Sequence, residues 1–363
     1  MRHTTKFPPY VKAVYISLLI IIIIFVMIMA KPILVPLMLG GYIAMLLTSL
    51  CNRLESYKIP RSLSSMIATL VFVLLIAAVI FLIFAQFSNF GQDLEANLSD
   101  NLNRFVISIN TSVKSFIGLD LGMGYGLEAE KVVAMVQSGN SNVSALLFTT
   151  IGTLSNALLL PVFVFFMLLY RDHLAVVVTK IFEKQRNKIL MEHVVAIRQI
   201  VHAYLIGAGK VMLILGIICS AILYLLGIKH ALFFGMIAGL LNIIPYLGPF
   251  LGAIMPFLYA LVTKDSLFYP FAVIISFTLV QLIEGTWLTP KITGSNVSLN
   301  AFMTFLGLLI GGAIWGIVGM ILIIPTIAIL KKLFELNPDT KPYAYLFGEE
   351  DTRWFKRKKP LEK

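Results

Sequence analysis

Apolar positions in this chain run in long unbroken stretches, and charged positions fall in short joints between them. The first stretch, Ala13 to Ala30, holds no charged residue and includes the isoleucines Ile20 to Ile24. A helix needs roughly 20 apolar residues to cross a hydrocarbon layer about 30 Å thick. This stretch and those at 33–50, 63–87, 145–169, 211–227 and 267–289 therefore predict membrane helices. Two other segments carry apolar residues at spacings of three and four instead. Leu94, Leu98, Leu102, Phe105, Ile109, Val113 and Phe116 form one stripe over 92–117, expected to pair with a second helix near 127–137. Ile189, Val194, Ile197, Val201 and Tyr204 form another over 188–205. Both predict amphipathic helices beside the membrane.

Composition agrees with this pattern. Of 363 residues, 59% are hydrophobic and 13% charged, with a mean hydropathy of +0.91; soluble domains carry about 25% charge. The net charge of +11 does not point to nucleic acid, because the cations sit in the joints where the positive-inside rule needs them. Arg2, Lys6 and Lys12 place the N-terminus inside, and Arg53, Lys58 and Arg61 mark an inner loop. Segment 88–144 is acidic, with Asp93, Glu95, Asp100, Asp120, Glu128 and Glu130, and is expected outside. Segment 171–210 is basic, and so is the tail with Arg353, Lys356, Arg357, Lys358 and Lys359. Cys51 and Cys219 lie in or beside apolar stretches, and no disulfide framework is expected.

The C-terminal half carries the unusual chemistry. Asn242-Ile243-Ile244-Pro245-Tyr246-Leu247-Gly248-Pro249 cannot form regular helix, since each proline removes a donor and clashes with the preceding turn. Its flanks, 231–241 and 250–262, are each too short to span a bilayer. The expectation is a re-entrant hairpin of two half-helices broken at that peptide. Such a break survives at membrane depth only inside protein or beside a wet cavity, and it offers main-chain groups to a solute. Residues 299–330 predict a second hairpin, turning near Gly311-Gly312. The pairs Gly235/Gly239, Gly248/Gly252 and Gly312/Gly316 have the spacing that lets helix backbones approach closely, and Gly319 follows three residues later. Between the hairpins, Thr278, Gln281 and Glu284 share one face of the span 267–289. An acid within a span is costly and faces inward, which makes Glu284 a candidate proton carrier. Lys210 is its possible ion-pair partner, although snorkelling to the interface suits a lysine there better.

Other motifs fail. Gly207-Ala208-Gly209-Lys210 resembles the end of a phosphate-binding loop, but Tyr204 and Val211 break the pattern. The five histidines are scattered, His193 and His202 do not share a helix face closely, and no metal or other cofactor is expected. No hydrolase or protease motif is present, so the chain does not read as an enzyme.

The string Asn242-Ile-Ile-Pro-Tyr-Leu-Gly-Pro-Phe-Leu-Gly252 resembles the signature of the AI-2E (autoinducer-2 exporter) family, also called PerM-like permeases. So do Gln281-x-x-Glu284 with Thr289-Pro290-Lys291-Ile-Thr-Gly294, and the run Gly311-Gly312-Ala-Ile-Trp-Gly316-Ile-Val-Gly319 closed by Ile324-Pro325. Asn300 departs from the pattern, which has His or Pro after the leucine, and the tail after Leu336 is expected to be lineage-specific. The resemblance implies an all-α integral membrane protein with seven to eight membrane segments, short hairpins in the C-terminal half and a small external helical insert. It also implies a bacterial inner-membrane location with both termini cytoplasmic, and homo-oligomers, with pentamers one form. The implied function is secondary transport of a small solute such as the quorum-sensing signal autoinducer-2, or sodium(lithium)/proton antiport. The expected organisation is N-terminal spans at 1–87, an extracytoplasmic insert at 88–144, and a span with a cytoplasmic helix at 145–210. A transport core at 211–335 and a cytoplasmic tail at 336–363 complete it. Asn242, Pro245, Tyr246, Gly248, Pro249, Gln281 and Glu284 are the expected pathway. Gly235, Gly239, Gly252, Gly312, Gly316 and Gly319 are the expected packing and hinge positions. A non-transporting membrane scaffold that binds partners through the insert is the alternative outside transport.

Overall fold

The structure is a computed structural model describing residues 8–83, 85, 154–181, 187–245, 247–264, 266–293, 299–335 and 340–348. The stripes predicted at 92–117 and 127–137, and Tyr246 and Gly294, lie outside these residues. Every regular element among the described residues is helical. In chain order they are α1 (Pro9–Met29), α2 (Lys31–Ser56), α3 (Arg61–Ile83), α4 (Leu154–Leu169), α5 (Arg171–Ile181) and α6 (Asn187–Leu225). Then come α7 (Ala231–Leu241), α8 (Leu247–Thr263) and α9 (Phe268–Ile283), which runs through a π-turn (Glu284–Leu288) into α10 (Thr289–Thr293). The last are α11 (Ala301–Trp315), α12 (Ile317–Glu335) and α13 (Lys341–Phe347).

Among the described residues, five helices are long and apolar enough to cross a membrane: α2, α3, Val195–Leu225 of α6, Phe268–Ile292 and α12. They become six if α4 and α5, bent by 73° at their joint, count as one broken span. The chain is a multi-pass membrane protein. The apolar helices Val14–Met29, Ala231–Leu241, Leu247–Leu261 and Ala301–Trp315 are shorter.

Several boundaries differ from the sequence reading. The stripe at 188–205 is not a separate helix but the first half of the 39-residue α6. It holds no proline, and isolated glycines at 207 and 209 cost too little to end a helix that packing supports. The second hairpin turns at Gly316 rather than at Gly311-Gly312. Gly316 has φ 66° and ψ −145°, a conformation open essentially to glycine alone.

The chain divides into two compact units. One comprises residues 1–48, 156–198 and 298–363. In it α11 and α12 form a tight hairpin, in which a Cβ at Gly311 would lie 2.6 Å from the Gly319 carbonyl oxygen. Gly312 faces the Met320 side chain. The indole Nε1 of buried Trp315 donates to the Met27 carbonyl at 2.9 Å, tying α1 to this hairpin. Tyr42 on α2 shares a 2.7 Å hydrogen bond with Thr326 on α12. Asn300, the residue that departs from the family pattern, caps α11: its side chain accepts the Phe302 N–H at 2.9 Å. Its own N–H reaches the Phe347 carbonyl at 2.9 Å, where α13 stacks on Phe334.

The other unit comprises residues 49–155 and 199–297. Its core joins Cys219 and Leu223 of α6, Phe233, Phe234 and Ala238 of α7, Tyr259 and Ala260 of α8, and Val273 and Phe277 of α9. Glycines set the helix spacings. A Cβ at Gly239 would fall 2.7 Å from the Gly216 Cα on α6, and one at Gly235 would strike the Ser220 main chain. A Cβ at Gly252 would fall 2.8 Å from the Ala238 Cα. So α7 is held between α6 and α8 at backbone contact, as the small-residue spacing predicts.

Candidate functional site

The site begins at the break between α7 and α8. Pro245 cannot donate to the Leu241 carbonyl, and its ring disfavours helical geometry at Ile244. The Ile244 N–H bonds that carbonyl instead, at 2.9 Å, and the Ile243 N–H bonds Leu240 at 3.2 Å. Leu247 N–H then turns back to the Pro245 carbonyl at 2.8 Å, and Gly248 N–H to Ile244 at 2.8 Å. The break is thus a compact turn rather than unwound chain. Helix resumes three residues earlier than the sequence predicts: α8 starts at Leu247 and has 17 residues. Pro249 fits in its first turn, where an N–H has no helical partner. Gly248 is buried against the Leu241 carbonyl, and any side chain there would collide with it.

α7 and α8 form a helical hairpin. Lys264, just past α8, donates to the Gly227 carbonyl at 2.7 Å ahead of α7, so both open ends lie together. Lys264 also sits 4.9 Å over the Tyr269 ring at the start of α9. At the far end, Lys291 sits 4.3 Å over the Trp287 ring. Such cation–aromatic pairs suit a membrane–water boundary. Eighteen residues separate the two rings, about 27 Å of helix, close to the thickness of the hydrocarbon layer. Glu284 is one helical turn from Trp287. Thr278 lies nine residues from each ring, at the middle.

Glu284 is buried, with 8% of its surface exposed. Gln281 Nε2 donates to its Oε2 at 2.8 Å, and the Thr289 hydroxyl donates to its Oε1. The π-turn makes the second bond possible. Five residues of α-helix turn about 140° past a full circle, which would carry Thr289 to another face. Here Thr289 N–H bonds the Glu284 carbonyl, five residues back, and the wide turn stacks the two side chains. Pro290 is the local cause: it cannot bond the Thr286 carbonyl, and its ring crowds it. Leu288, in the same turn, packs on Val211 and Leu215 of α6. Lys210 is exposed, and among the described residues no ion pair joins it to Glu284.

The break and the acid are linked through Gln281. Asn242, Pro249 and Gln281 line one void of about 20 Å³, with Cys219, Ala238 and Phe277 as apolar walls. That is room for one water molecule. Gln281 also lines a half-open groove of about 370 Å³ between α8 and α9. Asn242, Pro249, Gln281 and Glu284 thus come together, while Pro245 and Gly248 shape the turn behind them.

Residues 16–338 match the family model described as AI-2E family transporter. The chain belongs to the AI-2E family of transporters. AI-2 transport protein TqsA of Escherichia coli (strain K12) is 27% identical over 328 residues, covering 88% of this chain and 90% of TqsA. YueF of Bacillus subtilis (strain 168), provisionally named a transport protein, is 26% identical over 82% of each chain. YrrI of the same organism, also provisionally named, is 38% identical over 130 residues, 36% of each chain.

Within this AI-2E chain, the sequence reading missed Thr289 as a partner of Glu284, and Gly216 and Ser220 as the surface that Gly235 and Gly239 meet. The Thr289-Pro290 pair was the available signal for the first, since a proline late in a helix distorts the turn before it. Gly216 and Ser220, four apart, were the signal for the second.

Proposed function

We propose that this protein is a secondary transporter that exports a small uncharged solute, an autoinducer-2-like molecule being the leading candidate. The pathway passes Asn242, Gln281 and Glu284. The observation that carries the reading is the polar line from Asn242 to Thr289, set against a helix break beside the apolar core of its unit. Amide and hydroxyl groups in such a line suit a hydroxylated solute, and family membership and the likeness to TqsA support the choice. The test is export of autoinducer-2 from vesicles holding the full chain, with Glu284→Gln alongside. Loss of solute flux in the variant supports the pathway; equal flux and equal pH dependence would remove Glu284 from it. Sodium(lithium)/proton antiport is the second reading, favoured by the buried carboxylate of Glu284. Sodium-dependent proton release, lost in the same variant, distinguishes it. We place the protein in the bacterial inner membrane as a homo-oligomer with both termini in the cytoplasm.

A further inference from the structure

We propose that the groove between α8 and α9 is a lateral binding site, open to the bilayer, for a small apolar molecule that carries one O–H or N–H donor. The site shares Gln281 with the pathway proposed above but takes a different class of molecule from the hydroxylated solute of that pathway. Four observations carry it. The groove measures about 370 Å³, and its walls include Phe250, Ile254, Phe257 and Phe277. That is the size and lining of a small-molecule site, where a few polar groups fix orientation. Its polar members are Thr278 and Gln281. Thr278 lies midway between the Tyr269 and Trp287 boundary rings, so the groove opens onto hydrocarbon rather than water, and its occupant must be soluble there. The third observation is continuity: Pro249, Phe277 and Gln281 line both the groove and the small void at Asn242.

The fourth sets the sign of the polar contact. Gln281 turns its Nε2 to the Glu284 carboxylate. Its carbonyl Oε1 is left without a partner among the described residues. Thr278 has already given its hydroxyl proton to the Ile274 carbonyl at 2.8 Å. Both groups can therefore accept, and a ligand must donate. A charged solute is excluded by the cost of leaving water unpaired. A plain acyl chain would leave the acceptor unused.

The experiment uses the full chain in phospholipid vesicles and a phenol bearing a photoreactive diazirine. Labelled peptides are mapped, with unlabelled phenol or anisole as competitor. Anisole has the same ring but no donor. The expected result is saturable labelling within 249–257 and 274–281, displaced by phenol about fivefold to tenfold more effectively than by anisole, the ratio one hydrogen bond supplies. Ala253→Trp, which fills the groove, should abolish the saturable labelling. Gln281→Leu should keep labelling but reduce the preference for phenol over anisole, and Gln281→Leu with Thr278→Val should erase it, a change that a merely structural role would not produce. Labelling that does not saturate and spreads to 61–83 would overturn the proposal, as would equal competition by the two rings. Labelling displaced by neither would assign the groove to lipid tails. Cross-links from it to another copy of the chain would assign it to a subunit contact. The same vesicles report autoinducer-2 export. Donor-selective labelling without export sinks the pathway and keeps the site; export without it sinks the site alone.

Discussion

Thr289 donates its hydroxyl to Glu284 across a widened helical turn, five residues along the chain. With Gln281 on the other oxygen, both carboxylate oxygens of a buried acid are satisfied by neutral donors. Removing either donor leaves a buried acceptor bare, which costs about 1–3 kcal/mol. Thr289→Val should lower stability by that amount, read by thermal unfolding in detergent. An unchanged midpoint would mean that the hydroxyl does not hold the acid.

Pro290→Ala restores an N–H that can bond Thr286. The turn should then close to ordinary α-helix and rotate Thr289 away from Glu284. In that background Thr289→Val should cost less than about 0.5 kcal/mol, because residues no longer in contact behave additively. A double-mutant cycle measures this. Full retention of the Thr289 effect would show that Pro290 does not set the π-turn.

Two glycines of the same unit should respond in opposite directions. A Cβ at Gly239 meets main-chain atoms of Met212 and Gly216, whereas one at Gly209 meets nothing within 4 Å. Gly239→Ala should destabilise by at least about 1–3 kcal/mol through overpacking. Gly209→Ala, at an open site within α6, should stabilise by about 0.5–1 kcal/mol. Unfolding of the two variants side by side gives the comparison.

Trp315→Phe keeps most of the buried ring but loses the donor to the Met27 carbonyl. A loss of about 0.5–1.5 kcal/mol is expected. Protease accessibility of the α1 end should rise with it. Unchanged protection would show that the indole is not what ties α1 to α11.

Gly316→Ala should cost about 1–3 kcal/mol, because the residue sits at φ 66°. There is open space around it, so the cost is purely one of backbone conformation. A cost as small as that of an ordinary surface change would place the turn elsewhere.

The sequence by itself determined the solvent, the helical class and the first hairpin. Runs of apolar residues admit only closed hydrogen-bonding structures in lipid, and Pro245 and Pro249 forbid a continuous helix whatever surrounds them. It also marked Asn242, Gln281 and Glu284, because polar groups are conspicuous against such a background. It misplaced the second turn: Gly311, Gly312 and Gly316 look alike in sequence, and only the packing of α11 on α12 reserves two of them for close approach and one for the bend. It divided α6 in two for the same reason, since a change from stripe to apolar run does not interrupt backbone hydrogen bonds. The partner of Glu284 was beyond its reach, because a hydrogen bond between residues 284 and 289 exists only once the turn between them has widened. The void that joins the break to Gln281 likewise arises from four helices meeting, and no local pattern encodes the space between them.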